Sequence, residues 1–164
     1  RRRHSFPTRR SSDLVPGTAV FLTSDPDIAP SALMHNLKHN SVLHQRNLIV
    51  TVTVATTPTV TDADRSVVEQ LDDNFTRVNL VFGYMEQPNV PRALALAKKH
   101  GIKFEVMSTS FFLNRRSFKP STESGMPLWQ DRLFIAMTKT ATDATGFYRL
   151  PSNRVLELGQ QFVI

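Results

Sequence analysis

No cysteine occurs among the 164 residues, which excludes a disulfide framework, a thiolate metal site and a thiol nucleophile. That absence fits a reducing compartment. Glycine is scarce, at 6 residues, and neither a Gly-x-Gly-x-x-Gly run nor a Walker sequence is present. This argues against the usual dinucleotide and triphosphate loops, in which glycines let backbone N–H groups approach the ligand. A small-nucleotide site of another kind, beyond the strand ends of an open sheet, stays open. No apolar run approaches the roughly 18 to 20 residues that span a bilayer. The basic start runs into Ser5, Pro7 and Thr8 rather than the apolar stretch of a secretory signal. A Gly-x-Ser-x-Gly nucleophile elbow is also missing.

What is present is ordinary for one globular domain: 40% hydrophobic and 21% charged residues in a length that holds one core. The formal charge of +6 invites a nucleic-acid reading, but it is concentrated in residues 1–14, which hold five arginines and one acid. The remainder has 15 basic and 13 acidic residues, too even for a phosphate-backbone footprint. No nucleic-acid partner is therefore expected. His4 to Leu14 back-translates to a common short-read sequencing adapter. The expectation is that residues 1–14 are a disordered translation artefact and that the domain is 15–164. The source nucleotide record tests this, since codons that differ from the adapter would refute it.

The chain is organised around Thr18 to Ala55, which reads as strand, helix, strand. Thr18 to Thr23 is a short apolar run, the mark of a buried strand. Ser24 to Pro30 stops it, and Ser31 can cap a helix whose Leu33, Met34 and Leu37 share a face. Leu48, Val50, Val52 and Val54 alternate with Ile49, Thr51 and Thr53 in a second strand. Residues 66–84 read as an antiparallel hairpin about the turn Asp72-Asp73-Asn74. Asn89 caps a helix that carries Pro91 in its first turn and buries Ala93, Leu94 and Ala97. Gly101 supplies its left-handed end. Ile102 to Met107 reads as a strand, residues 108–113 as its continuation in or beside the sheet, and Asn114 to Gly125 as a loop. Pro127 opens the longest helix, with Trp129, Leu133, Phe134, Met137, Ala141 and Ala144 on the sheet and Thr145-Gly146 at its end. Val155–Leu158 and Phe162–Ile164 are apolar runs without assignment. The fold class is α/β, bordering on α+β: one domain with a mixed sheet of about five to six strands and three helices.

Candidate chemistry is sparse. His35 and His39 have metal-ligand spacing, with His44 nearby, but no zinc-protease Glu accompanies them, so a polar helix face is the simpler reading. Asp25/Asp27, Asp62/Asp64 and Asp72/Asp73 lie in turn contexts, where Asp serves the backbone. Arg115, Arg116, Phe118 and Lys119 form a small basic, aromatic patch suited to anionic lipid or an acidic partner surface, but a solvated loop is the simpler reading. Asn74-Phe75-Thr76 matches a glycosylation acceptor and is read as a chance turn sequence. No catalytic residue, cofactor or metal is expected, and no enzyme.

Six motifs in order do carry a resemblance: Val15 to Thr23, His35 to Asn40, Gly83 to Pro91, Thr109 to Leu113, Leu128 to Phe134 and Pro151 to Gly159. Together they resemble the C-terminal cytoplasmic domain of the Kup (KUP/HAK/KT) potassium-uptake transporters, over residues 15–164. The resemblance implies a parent bacterial inner-membrane transporter, a proton-coupled symporter whose membrane helices lie outside this chain. It implies no potassium ligand in this chain and no transport by it alone. The implied role is that of a regulatory or interaction domain on the cytoplasmic side of the membrane. Its partners would be the transmembrane part of the same transporter and a second copy of the chain. Membrane contact would come only through the missing helices. Asn114-Arg115-Arg116 departs from the Gly and acid expected after Phe112-Leu113. The exposed character expected of His35, Asn36, Lys38, His39 and Asn40 makes them the candidate docking face. The alternative is a sensor of a nucleotide or cyclic dinucleotide that regulates potassium uptake.

Overall fold

In the computed structural model the described residues are 13–26, 28–119, 129–130, 133, 136–137 and 144–163. The described strands are β1 (Asp13–Thr23), β2 (Val42–Ala55), β3 (Ser66–Gln70), β4 (Phe75–Gly83), β5 (Thr109–Lys119) and β6 (Val155–Val163). They form one sheet of order β3-β4-β2-β1-β5-β6. Every pairing is parallel except that of β3 with β4. Helix α1 (Ser31–Asn40) connects β1 to β2, and α2 (Val90–Ala97) lies between β4 and β5. A one-turn helix, α3 (Ala144–Phe147), precedes β6. Among the described residues this is the expected α/β class, a mixed sheet with helices.

The side-chain period of a strand divides the core in two. Val20, Leu48, Val50, Val78, Leu80, Phe82 and Phe111 pack against Val90, Ala93, Leu94 and Ala97 of α2. On the opposite face Ala19, Phe21 and Phe112 meet Ala32 and Leu33 of α1. There Phe21 stacks on Phe112 with ring centroids 4.7 Å apart. The first cluster is much the larger, and each fully buried Leu, Val or Phe in it contributes about 1.5–3 kcal/mol. In β2, Leu48 and Val50 are buried with α2 while Val54 is exposed; on the other side Thr51 is buried, Ile49 half-buried and Thr53 exposed.

Local chemistry fixed several elements as expected. The Asn89 side chain accepts from the Arg92 N–H at 3.0 Å and caps α2, which has Pro91 in its first turn. Gly101, at φ +90°, takes the left-handed conformation after the turn Lys98–His100. The hairpin is present, turned by Asp72, whose Oδ1 accepts from the N–H groups of Asn74 and Phe75, each at 2.7 Å.

Strand β1 starts at Asp13, and Asp13 and Leu14 pair with Val42 and Leu43. Other expectations are corrected. Residues 102–105 join no ladder; Ile102 and Phe104 are buried in the α2 cluster, and the strand begins only at Thr109. Alternation there reports burial, not pairing. Residues 114–119 are strand, not loop, and pair with Leu158–Val163. Val155–Leu158 and Phe162–Val163 lie at the two ends of the single strand β6, and Ile164 lies outside the described residues. Ser31 makes no capping bond, and Met34 is exposed. Trp129, Leu133 and Met137 are helical but 64%, 54% and 65% exposed, so they do not pack on the sheet. Thr145 and Gly146 do not end the last helical turn, which runs on to Phe147. Phe134 and Ala141 lie outside the described residues.

Candidate functional site

The candidate docking face lies on α1 and divides by helical period. Leu33 and Asn36 fall on the inward stripe, three residues apart. Asn36 is 4% exposed, not surface. Its Nδ2 donates to the Val42 carbonyl at 2.9 Å, and its Oδ1 accepts from Asn40 Nδ2 at 2.8 Å. Ser41 turns the chain at φ 53°, and its N–H donates to Leu37 O at 3.2 Å. Asn36 and Asn40 thus clamp the end of α1 to the start of β2. His35 is half-buried, while Lys38, His39 and Asn40 are exposed. The rings of His35 and His39 stack at 5.9 Å with an interplanar angle of 6°. Beside them runs a groove of about 580 Å³, lined by Ala29, Met34, His35, Leu37 and Lys38 among others. Ile28 and Met34 add exposed apolar surface, at 64% and 55%. Among the described residues no three His, Cys, Asp or Glu side chains form a metal-binding group.

The best-built polar constellation lies elsewhere, at the carboxyl end of β4. Glu86 accepts from both Nη groups of Arg65, at 2.8 and 3.2 Å, and from the Gly83 N–H at 2.7 Å. Arg65 also donates to Val60 O at 2.6 Å and to Asp62 at 3.3 Å, and its guanidinium lies 5.2 Å from the centre of the Phe82 ring. The Arg65 guanidinium and the Gly83 N–H hold the Glu86 carboxyl down at about 2. The side chains of Arg65 and Glu86 are only 12% and 20% exposed. A Cβ on Gly83 would lie 2.1 Å from the Pro58 carbonyl oxygen, so the backbone approach needs glycine. The Gly83–Pro91 motif therefore ties the loop after β2 to the start of α2. Sequence reasoning marked the motif but missed the ion pair, whose partners are 21 residues apart. The one available signal was an acid held between a Gly turn and a Pro.

The remaining candidates serve structure. Asp62 pairs with Arg65, and Asp64 accepts from Thr61 Oγ1 at 2.8 Å. Thr23 Oγ1 bonds both the carbonyl and the N–H of Asp25, at 3.0 and 3.3 Å; Asp27 lies outside the described residues. Arg115 pairs with Glu157 at 3.2 Å, and Glu157 also accepts from Thr145 Oγ1. Of the basic, aromatic patch only the Arg115 side chain is among the described ones. Asn74 offers its carbonyl to the Asn47 N–H at 2.8 Å, a turn role. His44 is a residue whose role the sequence did not reveal. Its ring meets Phe112 edge-on at 6.0 Å, its Nδ1 is buried with no hydrogen-bond partner among the described residues, and burial lowers its pKa.

Fold and site together define a small α/β domain whose polar resources mainly brace its own loops and whose α1 face is open. Its family follows from comparison. The model of the K+ potassium transporter C-terminal domain matches residues 16–164, and the chain belongs to that family. It is 58% identical over 156 residues to the "Probable potassium transport system protein Kup 2" of Mesorhizobium japonicum, covering 95% of this chain and 24% of that protein. It is 56% identical to the "Probable potassium transport system protein Kup" of Brucella anthropi, covering 94% of this chain and 24% of that protein. The Kup protein of Caulobacter vibrioides is 52% identical, over 99% of this chain and 26% of that protein. The chain thus spans about a quarter of the length of these relatives. No solved structure matches it. Among the described residues no helix is long and apolar enough to cross a membrane.

Proposed function

We propose that the chain is the regulatory and interaction domain of a potassium transporter, lying on the cytoplasmic side of the membrane. In this reading the ion path and the symport of potassium with protons belong to the part of the transporter outside this chain. The chain transports nothing alone and catalyses nothing; its acid pairs brace turns. The observation that carries the reading is the open α1 face on a domain of this family. There Met34, His35, Lys38 and His39 stand beside an apolar groove of about 580 Å³. Exposed apolar surface beside the charged Lys38 suits docking against another protein segment. The transmembrane part of the same transporter is the occupant we assign.

The test is Met34→Glu with His39→Glu in the intact transporter, read by potassium uptake and by assembly on a sizing column. Loss of uptake with the domain still folded supports docking, and unchanged uptake and assembly overturns it. Asn36 is not a fit probe, because its substitution would loosen α1 itself. Pairing with a second copy is read in the same column as a doubled mass.

A second reading, a nucleotide or cyclic-dinucleotide sensor, is favoured by one observation. A groove of about 470 Å³ at the ends of the strands is lined by Arg46, His100 and Lys103. A saturable rise in melting midpoint with added nucleotide would support that reading, since a ligand of the folded state must stabilise it. A melt unmoved by any nucleotide would remove it.

A further inference from the structure

The five parallel strands all begin at one edge of the sheet. That edge holds Arg46 near the start of β2, Thr76 near the start of β4, and the segment His100–Lys103 after α2. They line the groove of about 470 Å³ together with Gln70 and Asn74. Arg46 Nε donates to Thr18 Oγ1 at 3.0 Å, and Thr18 is 1% exposed, so the guanidinium is held from its base. Lys103 and His100 are exposed, as are Lys98 and Lys99 in the preceding turn. Among the described residues none of these groups pairs with a carboxylate, whereas Arg65, Arg77 and Arg115 all do. Asp73 is the one acid among the described lining residues, and Asp13 opens β1 at the same edge. The helix dipole accounts for Lys98, Lys99 and His100 at the end of α2. It does not account for Arg46, on β2, or for Lys103, in the segment leading to β5.

The position of the edge says what faces it. The family is that of a C-terminal domain, so the remaining length of the relatives precedes β1, and β1 starts at this edge. Resting on the transporter reading above, we propose that this edge lies on anionic lipid headgroups. Arg46 and Lys103 take a lipid phosphate in the groove, and Lys98, Lys99 and His100 add surface attraction. The domain then touches the bilayer through its own cations.

The experiment is co-sedimentation of the full chain with vesicles of phosphatidylglycerol and phosphatidylcholine, against phosphatidylcholine alone. Residues 1–14 hold five arginines. The reference is therefore the chain carrying Arg1→Gln, Arg2→Gln, Arg3→Gln, Arg9→Gln and Arg10→Gln. It is expected to bind the anionic vesicles, more weakly as salt rises. Adding Arg46→Gln, Lys98→Gln, Lys99→Gln and Lys103→Gln should lower the partition coefficient at least tenfold, at about fivefold per cation near the surface. Adding Arg92→Gln and Arg149→Gln instead, away from the groove, should change it less than twofold. Equal loss per substituted cation in the two variants means diffuse charge and overturns the proposal, as does binding unchanged in the fourfold variant. Glycerol phosphate that raises the melting midpoint of a chain failing to bind vesicles would assign the groove to a soluble phosphate, and also overturns it. Vesicle binding by the isolated chain is independent of uptake in the intact transporter, so failure of this inference and failure of the docking reading are told apart.

Discussion

Replacing Glu86 by Gln keeps the shape of the side chain and removes its charge. The native carboxylate takes both Nη groups of Arg65 and the Gly83 N–H, and its pKa falls from 4.5 to about 2. A group whose folded pKa is depressed stabilises the fold above its unfolded value. That contribution is lost as pH falls from 4.5 towards 2. The full shift corresponds to about 3 kcal/mol at neutral pH. Solvent reaches part of the pair, and Arg65 keeps Asp62 and the Val60 carbonyl, which trims the expected loss to about 2 kcal/mol. In a domain of this size that lowers the melting midpoint by about 4–8 °C. Guanidinium denaturation at pH 7 and pH 3 measures it, with the slope m unchanged. The gap between parent and variant should be about 2 kcal/mol at pH 7 and should narrow markedly at pH 3. A gap below about 0.5 kcal/mol at pH 7, or one equal at both pH values, refutes the ion pair as the source of the stability.

Three further outcomes follow from the same geometry. Gly83→Ala drives a Cβ into the Pro58 backbone and should cost about 3 kcal/mol by thermal melt, whereas relief by a small loop shift would leave it under about 1. Asn36→Ala leaves the Val42 carbonyl without its donor and should cost about 1–3 kcal/mol, while His39→Ala, on the exposed side, should stay within about 0.5. Burial lowers the pKa of His44 below 6.5, so protonation favours the unfolded chain and stability should fall as pH drops below 6.5. His44→Gln should flatten the profile between pH 5 and 7.

What was legible in the sequence was local. Asn89, Pro91 and Gly101 announce both ends of α2 because capping and the left-handed turn act within a few residues. Asp72 does the same for the hairpin. What was not legible was pairing. Ile102 and Phe104 alternate as strand residues do, yet they fill the α2 cluster without a ladder partner. The polar residues 114–116 look like loop, yet they pair with β6. The sheet order is set by contacts between distant segments that no window spans. On α1 the helical spacing of Leu33 and Asn36 was available, but residue type outweighed period, and a buried clamp was read as surface. Arg65 and Glu86 failed to stand out for a related reason, since each looks solvated until the chain brings them together.

The parallel sheet gives these charges a direction. All five parallel strands run the same way, so the two edges of the sheet carry different residues and need not resemble each other. At the carboxyl edge of β4 the charges close on themselves, with Arg65 satisfied by Glu86 and Asp62 and almost removed from water. At the amino edge Arg46 and Lys103 stand exposed in a groove and pair with no carboxylate among the described residues. A charge paired inside the fold contributes to stability and offers little to a partner, whereas an exposed unpaired one costs little in water and keeps its attraction for an outside anion. The carboxyl edge is therefore where substitution should change the melting midpoint, and at the amino edge Lys98, Lys99 and Lys103 are where it should change binding while leaving the melt alone; Arg46, which donates to the buried Thr18 Oγ1, should change both.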